Sequence, residues 1–420
     1  MKLSKPSQLF LVSITGLLVA ILLSACQIVT IATLYLASSA GPGNSSGLID
    51  VLAVDSETGA LRPATSPVSS GGNSPVSLAV SSNFLNLYVA NQASNNIVHF
   101  SIAYSGALTK ADTVTLSSEG TVPVAIAVNN AGTQLYVVSA RYPGGAGGAQ
   151  IPGAALAVFS LSSSGAIGSP LANGSLHYWP LTLPGNPKDL MVPTGVTSIA
   201  SSKAVYVTAY DQSAYNPGGT ATSTANPGWV FGFSAGSSGL ASAPGSPYEA
   251  GVKPTGVAAD PTNRFVYVSD YASNELIGYS IESGFALNFL LNGPFKTGNE
   301  PQAVTVDQRG KFIYVANALD SSVSAYAIDL STGTPSAAIN TTGSSTNNTD
   351  AEPVSIAVDA ALGRFVYTAN KLGNSISGFQ LNPTTGALSP TLNTPYPSSA
   401  NPTAIASVPH GSHSTQTVTP

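Results

Sequence analysis

The chain has 420 residues, only 8% of them charged, a formal net charge of −5 and a single cysteine. It has no basic stripe to neutralise phosphates, which excludes nucleic acid as a partner, and a lone thiol excludes a disulfide within the chain. With 43% hydrophobic residues it can still build a large core, so wholesale disorder is excluded too.

The N-terminus reads as a signal rather than as structure. Lys2 and Lys5 form a basic start and Leu9 to Leu23 an apolar stretch, short of the ~20 residues that a membrane span needs. Leu23-Ser24-Ala25-Cys26 follows and resembles the lipobox of bacterial lipoproteins, in which a small residue precedes the cysteine that takes a diacylglycerol. The expectation is a signal peptide over 1–25, acylation of Cys26 and export to the cell envelope. The alternative, an uncleaved anchor running into Ile28–Leu36, is disfavoured by the length of the apolar stretch. Gln27 in place of Asp after the cysteine resembles lipoproteins sorted to an outer membrane. An outer-membrane or periplasmic location is therefore expected.

The chain's 41 glycines and 30 prolines, all but Pro6 and Gly16 of them after residue 30, punctuate short apolar runs, the pattern of an all-β protein. One phrase repeats. Its clearest copy is Pro353–Asp359, then Gly363–Asn370 with Phe-Val-Tyr-Thr-Ala-Asn, then Ser375–Leu381, then Thr385-Gly386-Ala387-Leu388. The phrase opens at Pro75, Pro123, Pro193, Pro254, Pro301 and Pro353, and a truncated copy opens at Pro402. Each copy predicts four strands: an apolar run after proline, a Tyr-Val-x-Asn strand, a strand alternating in period two, and a strand after a Ser/Thr-Gly turn. Such a unit recurring at ~50 residues predicts propeller blades. Proline suits the first residue of the innermost strand because it has no N–H to donate. Gly59, Gly106, Gly165, Gly239, Gly284, Gly333 and Gly386 fit tight hairpins, and Tyr88, Tyr136, Tyr206, Tyr267, Tyr314 and Tyr367 are expected to lie between blades.

The ends complete the count. Pro402–Val408 is an innermost strand without a second, and Ile31–Ser38 is a second strand without a first. Leu48–Val54 and Thr58–Leu61 supply the third and fourth. The two ends are therefore expected to share one blade, closing a seven-bladed propeller over 26–408 with a tail at 409–420 and no free sheet edge. These repeats resemble the lactonase-type (6-phosphogluconolactonase-like) seven-bladed propellers, and the Tyr-Val-x-Asn strands resemble the YVTN repeats of surface and periplasmic proteins. The resemblance spans the mature chain and is specific for fold, since such propellers host unrelated activities.

The intervals opening at Pro123 and Pro193 are the longest. Their excess lies at Arg141–Gly153, Asn173–Val192 and Asp211–Gly228, connections that leave an up-and-down blade on one face. This sector holds Arg141, Tyr142, His177, Tyr178, Trp179, Tyr210, Asp211 and Tyr215, with Trp229 at its edge and Asp270 and Tyr271 at the equivalent point of the fifth blade. Aromatic rings with a few polar groups suit a carbohydrate, peptide or envelope-protein partner. The competing reading is that they pack long loops onto the ring. Gly43-Asn44-Ser45-Ser46-Gly47 matches G-x-S-x-G in form but lies in a Gly/Ser-rich loop without a following helix. Thr341–Thr349 and the tail after His410 are Ser/Thr/Asn-rich and expected to be mobile.

Two functions follow. A non-catalytic binding or scaffold module of the envelope needs only the rim, the anchor and a rigid ring, and ranks first. A lactone hydrolase, implied by the resemblance, is the alternative. Related lactonases show a Pro-His-x-His phrase in mid-chain, and this sequence lacks it. Its histidines are His99 in a third strand, His177 in an insertion, and His410 and His413 in the tail. Arg264, Arg309 and Arg364 recur before the tyrosine strands and read as blade architecture. If the chain is catalytic, His177 is the expected base and Arg141 the electrostatic stabiliser. No cofactor and no metal site are expected, since no His, Cys, Asp or Glu cluster has ligand spacing, and a monomer is expected. Polar groups at the mouth of the central channel would favour catalysis, and raised rim loops a binder.

Overall fold

The computed structural model describes residues 29–39, 46–144, 148–185, 190–215 and 227–411. The signal segment, Cys26, Gly43-Asn44-Ser45 and His413 lie outside the described residues.

Seven antiparallel sheets form the ring. Blade 1 is composite: Pro402–Pro409 is innermost, followed outward by Thr30–Ser38, Leu48–Asp55 and Leu61–Pro63. The innermost and second strands of the others are Pro75–Val80 and Asn86–Asn91 in blade 2, Thr121–Val128 and Gln134–Pro143 in blade 3, and Met191–Ser198 and Ala204–Asp211 in blade 4. Blade 5 has Pro254–Ala259 and Phe265–Asp270, blade 6 Pro301–Val306 and Phe312–Asn317, and blade 7 Pro353–Val358 and Phe365–Asn370. The blade register breaks just after the opening proline in every blade, for example between Pro301 and Ala303. Closure is covalently indirect but well bonded. Thr33 to Ala37 pair with Val408 to Ala404, and the Asp50 carboxylate accepts the Ser399 N–H at 2.8 Å and its hydroxyl at 2.7 Å.

Among the described residues six blades carry a short fifth strand that pairs with the third, for example Trp179–Pro180, Tyr248–Glu249, Phe295–Lys296 and Tyr396–Pro397. The four-strand repeat did not predict these. Thr346–Asn348 is the fifth strand of blade 6, paired with Ser322–Ser324, so part of the expected mobile segment is built into the sheet.

The core is divided into seven apolar clusters, one in each cleft between consecutive blades. The repeat tyrosines cross these clefts. Tyr35, Tyr88, Tyr267, Tyr314 and Tyr367 donate to the carbonyls of Gly106, Gly165, Gly333, Gly386 and Gly59, each in the next blade. Tyr206 reaches the Phe285 carbonyl beside Gly284. In blade 3, Tyr136 donates to the Gln134 side chain, which donates in turn to the Gly236 carbonyl of blade 4. Each ring buries apolar area and also satisfies its own hydroxyl. The hairpin glycines sit at positive φ, +67° at Gly59 and +75° at Gly386, and a methyl there would strike Phe365 or Phe312.

The three arginines brace the lower face, where first and second strands turn. Arg264 donates to the Leu330 carbonyl, Arg309 to Gly363 and Arg364 to Ser56, each in the following blade. His99 is buried between Asp112 at 3.0 Å and Asn86 at 2.8 Å and stacks on Tyr88.

Candidate functional site

The upper face carries the second-to-third hairpins and the segments leading to each opening proline. There, in blades 1, 2, 5, 6 and 7, the first residue after the second strand donates its N–H to the residue just before the proline: Gln92 to Ser74, Tyr271 to Lys253, Ala318 to Glu300, Lys371 to Glu352 and Ser39 to Asn401. This register gathers one residue pair from each of these five blades around the upper mouth of the channel. In blades 5, 6 and 7 the pairs bring Lys253, Tyr271, Glu300, Glu352 and Lys371 there, a concentration of charge in a chain that is 8% charged.

Lys253 lies at the centre. Its ammonium is 4.1 Å from the Tyr271 ring centroid, 5.4 Å from that of Tyr215 and 5.8 Å from that of Tyr210, within cation–π range of all three. Tyr210 and Tyr215 meet edge to face at 5.3 Å. Burial pulls the Lys253 ammonium below the usual lysine range, against the pull of the neighbouring Glu300 carboxylate. Burial, and then Glu300, push the Tyr271 hydroxyl up to about 12. Tyr215 is raised by burial and by the Asp270 and Glu300 carboxylates. Glu352 pairs with Lys371 at 3.7 Å. Glu300 is held from blade 5, its N–H donating to the Asn274 side chain at 2.8 Å.

The residues singled out from sequence fall into two groups. Tyr210, Tyr215 and Tyr271 come together around Lys253. Asp211 and Asp270 are buried in the same region and face backbone rather than the mouth. Asp211 accepts the N–H and hydroxyl of Ser213, and Asp270 accepts from Val252, Lys253 and Ala272.

The second group lies in and beside blade 3. Trp179 is buried in the cleft between blades 3 and 4, its indole N–H donating to Leu240 at 3.2 Å. Tyr178 is buried beside it, donating to the Pro143 carbonyl and tilted against Tyr142 at 5.5 Å. Trp229 packs on the same cluster. Arg141 donates to the Gln150 carbonyl across its own hairpin. His177 is exposed, two residues before Trp179 on the outer side of blade 3, and among the described residues no hydrogen bond joins it to Arg141.

Lys253, Glu300, Glu352 and Lys371 were missed from sequence. The signal was available, because each residue lies next to a recognised repeat landmark: three immediately precede opening prolines and Lys371 follows Asn370. The lower end of the channel has a cavity of about 290 Å³ that includes Asp260 and Asp307. Both carboxylates are already occupied by backbone N–H groups of the following turn, so they brace the fold. Among the described residues no group of acidic, histidine or cysteine side chains is arranged to hold a metal.

The lactonase family of seven-bladed β-propellers matches residues 33–173, 237–347 and 260–412, more than half of the sequence. The chain belongs to this family. No curated protein matches it. Among solved structures, this lactonase-family propeller is similar to the periplasmic gluconolactonase of Pseudomonas aeruginosa, with 17% identity, a TM-score of 0.69, and 90% of this chain and 99% of that one covered. A candidate 6-phosphogluconolactonase from Bacteroides fragilis gives 17% identity and a TM-score of 0.68, covering 90% and 98%. Another from Bacteroides uniformis gives 16% and 0.68, covering 90% and 100%. At these identities the likeness is one of fold.

Proposed function

We propose that this propeller is a lactone hydrolase acting at the upper mouth of its channel. The observation that carries the reading is the meeting of Lys253, Glu300 and three tyrosine rings at the mouth, where a binder relying on raised loops would have no need of charge. Family membership supports it, as does the placement of the conspicuous tryptophans in the wall rather than on a rim. Both move the weight from a scaffold role to hydrolysis.

The chemistry follows from the groups present. A water attacks the lactone carbonyl carbon while the Glu300 carboxylate takes its proton. The Lys253 ammonium, held in a partly desolvated cage, faces the developing oxyanion. Collapse breaks the ring C–O bond, and the departing alkoxide recovers the proton from Glu300. The product is a hydroxy acid, which ionises at neutral pH and releases one proton. The tyrosine rings supply flat apolar faces of the kind on which a sugar ring rests. The Glu352–Lys371 pair leaves the rest of the mouth close to neutral, which suits an uncharged lactone better than a phosphorylated one. Export and a lipid anchor at Cys26 belong to the same proposal, because they would set the enzyme where unphosphorylated sugar lactones arise.

The test is proton release from a panel of sugar and aliphatic lactones, corrected for spontaneous hydrolysis. K253M is expected to lower kcat by about 10²–10³, the usual cost of removing an oxyanion partner, and E300Q to act likewise. H177A is expected to leave the rate unchanged. Turnover on no lactone, or loss in H177A with K253M intact, would overturn the proposal.

A further inference from the structure

Blade 5 departs from its siblings in several coordinated ways around one buried carboxylate. In blades 6 and 7 the residue closing the second strand is asparagine, and its amide donates to two serines of the third strand: Asn317 to Ser322 and Ser324, Asn370 to Ser375 and Ser377. In blade 5 the same register positions hold Asp270, Glu275 and Ile277, so the hydroxyl pair is gone. Asp270, fully buried, turns instead to the backbone of the opening segment. It accepts Val252 N–H at 2.7 Å and Lys253 N–H at 2.8 Å.

The opening segment is altered to match. In blades 3, 6 and 1 the N–H just before the opening proline, on Val122, Glu300 and Asn401, is bound by a hairpin asparagine of the preceding blade: Asn95, Asn274 and Asn374. Blade 4 has its long insertion where that asparagine would stand, and Asp270 takes over the bond to Lys253 from within its own blade. The residues before the proline in blades 1, 2, 3, 6 and 7 sit at positive φ, whereas Lys253 does not; Gly251 does, at +71°. A methyl at Gly251 would strike the Asp270 carboxylate. The side chain that leaves from this reshaped backbone is the one whose ammonium rests on Tyr271.

We infer that Asp270 is a positioning residue that fixes the backbone of Lys253 and so sets its ammonium in the tyrosine cage at the channel mouth. The inference rests on the lactonase reading for its consequence in catalysis and on geometry alone for the placement of Lys253. A charge-assisted bond to two consecutive N–H groups is suited to this work, because it fixes a side chain's origin without entering the site.

The experiment uses the full chain, D270N, and the triple variant D270N/E275S/I277S, which rebuilds the asparagine–serine arrangement of blades 6 and 7. Acetylation by acetic anhydride is followed by peptide mass spectrometry, with Lys253 scored against Lys203 and Lys311 on the lower face. A general loosening would raise all three lysines together, whereas lost positioning raises Lys253 alone. D270N is expected to raise Lys253 labelling several-fold over the other two. It is also expected to lower kcat by about ten- to a hundredfold, the scale of a misplaced catalytic group, with KM little changed. The triple variant is expected to regain thermal stability while Lys253 stays reactive and kcat low. Unchanged relative labelling in D270N, or renewed protection of Lys253 in the triple variant, would overturn the inference. If the parent hydrolyses no lactone yet labelling follows the expected pattern, the lactonase reading fails and the positioning role stands.

Discussion

The hydroxyl of Tyr367 in blade 7 donates to the carbonyl of Gly59 in blade 1 at 2.7 Å, joining residues 308 positions apart in the chain. It is one of a set of tyrosine clasps that pass from blade to blade, and it crosses into the composite blade that closes the ring. Y367F keeps the ring but leaves a buried carbonyl unpaired. It is expected to cost about 1–3 kcal/mol, read as a lowered denaturant midpoint with an unchanged slope.

The same tyrosines give the fold an alkaline limit. Burial raises the hydroxyls of Tyr35, Tyr88, Tyr206, Tyr267 and Tyr314, that of Tyr136 to about 12, and that of Tyr367 well above its ordinary value. In the unfolded chain each ionises near its usual value of about 10. Their contribution is therefore complete below that pH and is lost as pH rises toward the folded values, since the unfolded state then binds fewer protons. Urea midpoints measured from pH 8 to 11.5 should stay level and then fall steeply above about pH 10. A flat profile would mean the hydroxyls are not held as described.

Gly386 lies at φ +75° with its Cα facing Phe312. G386A adds both backbone strain and a collision with a buried ring, each worth about 1–3 kcal/mol. Calorimetry should show a lower melting temperature. G174A is the control: Gly174 is also at positive φ, but a methyl there meets nothing within 4 Å. It should carry the backbone cost alone.

The acylation proposed at Cys26 has a direct check. Cells fed a radiolabelled or alkyne-tagged fatty acid should label the wild-type chain. C26S should be unlabelled and should move from the membrane to the soluble fraction. Label retained in C26S would end the lipoprotein reading.

The fold was legible in the sequence because each repeat landmark has a single physical use. Proline without an N–H opens the innermost strand in five blades and stands third in blades 3 and 4, glycine at positive φ turns the outer hairpin, and the tyrosine needs a neighbouring cleft. Even the shared blade could be counted from Pro402–Val408 and Ile31–Ser38. The site was harder to see, since aromatic residues in long insertions look like a binding surface whether they face solvent or core. Trp179 stands where Tyr248, Phe295 and Tyr396 stand in other blades, at the start of a fifth strand. Those aromatics follow a proline in Pro247-Tyr248, Pro294-Phe295 and Pro395-Tyr396, whereas Trp179 follows Tyr178, so the shared role was hidden. Lys253, Glu300 and Glu352 were passed over for the opposite reason. They border a landmark so regular that its flanking residues read as part of the repeat, and only the register shows that they converge on the mouth.

The strand Thr30–Ser38 climbs from the lower face to the upper, while Pro402–Pro409 descends beside it, with His410 N–H bonded to the Ile31 carbonyl. Both described ends of the chain are thus delivered to the face opposite the candidate site. A lipid, an affinity tag or a solid support joined directly at Val29 or Gly411 would therefore leave the ring from its lower face. Immobilisation through either of those points would leave the mouth around Lys253 facing away from the support.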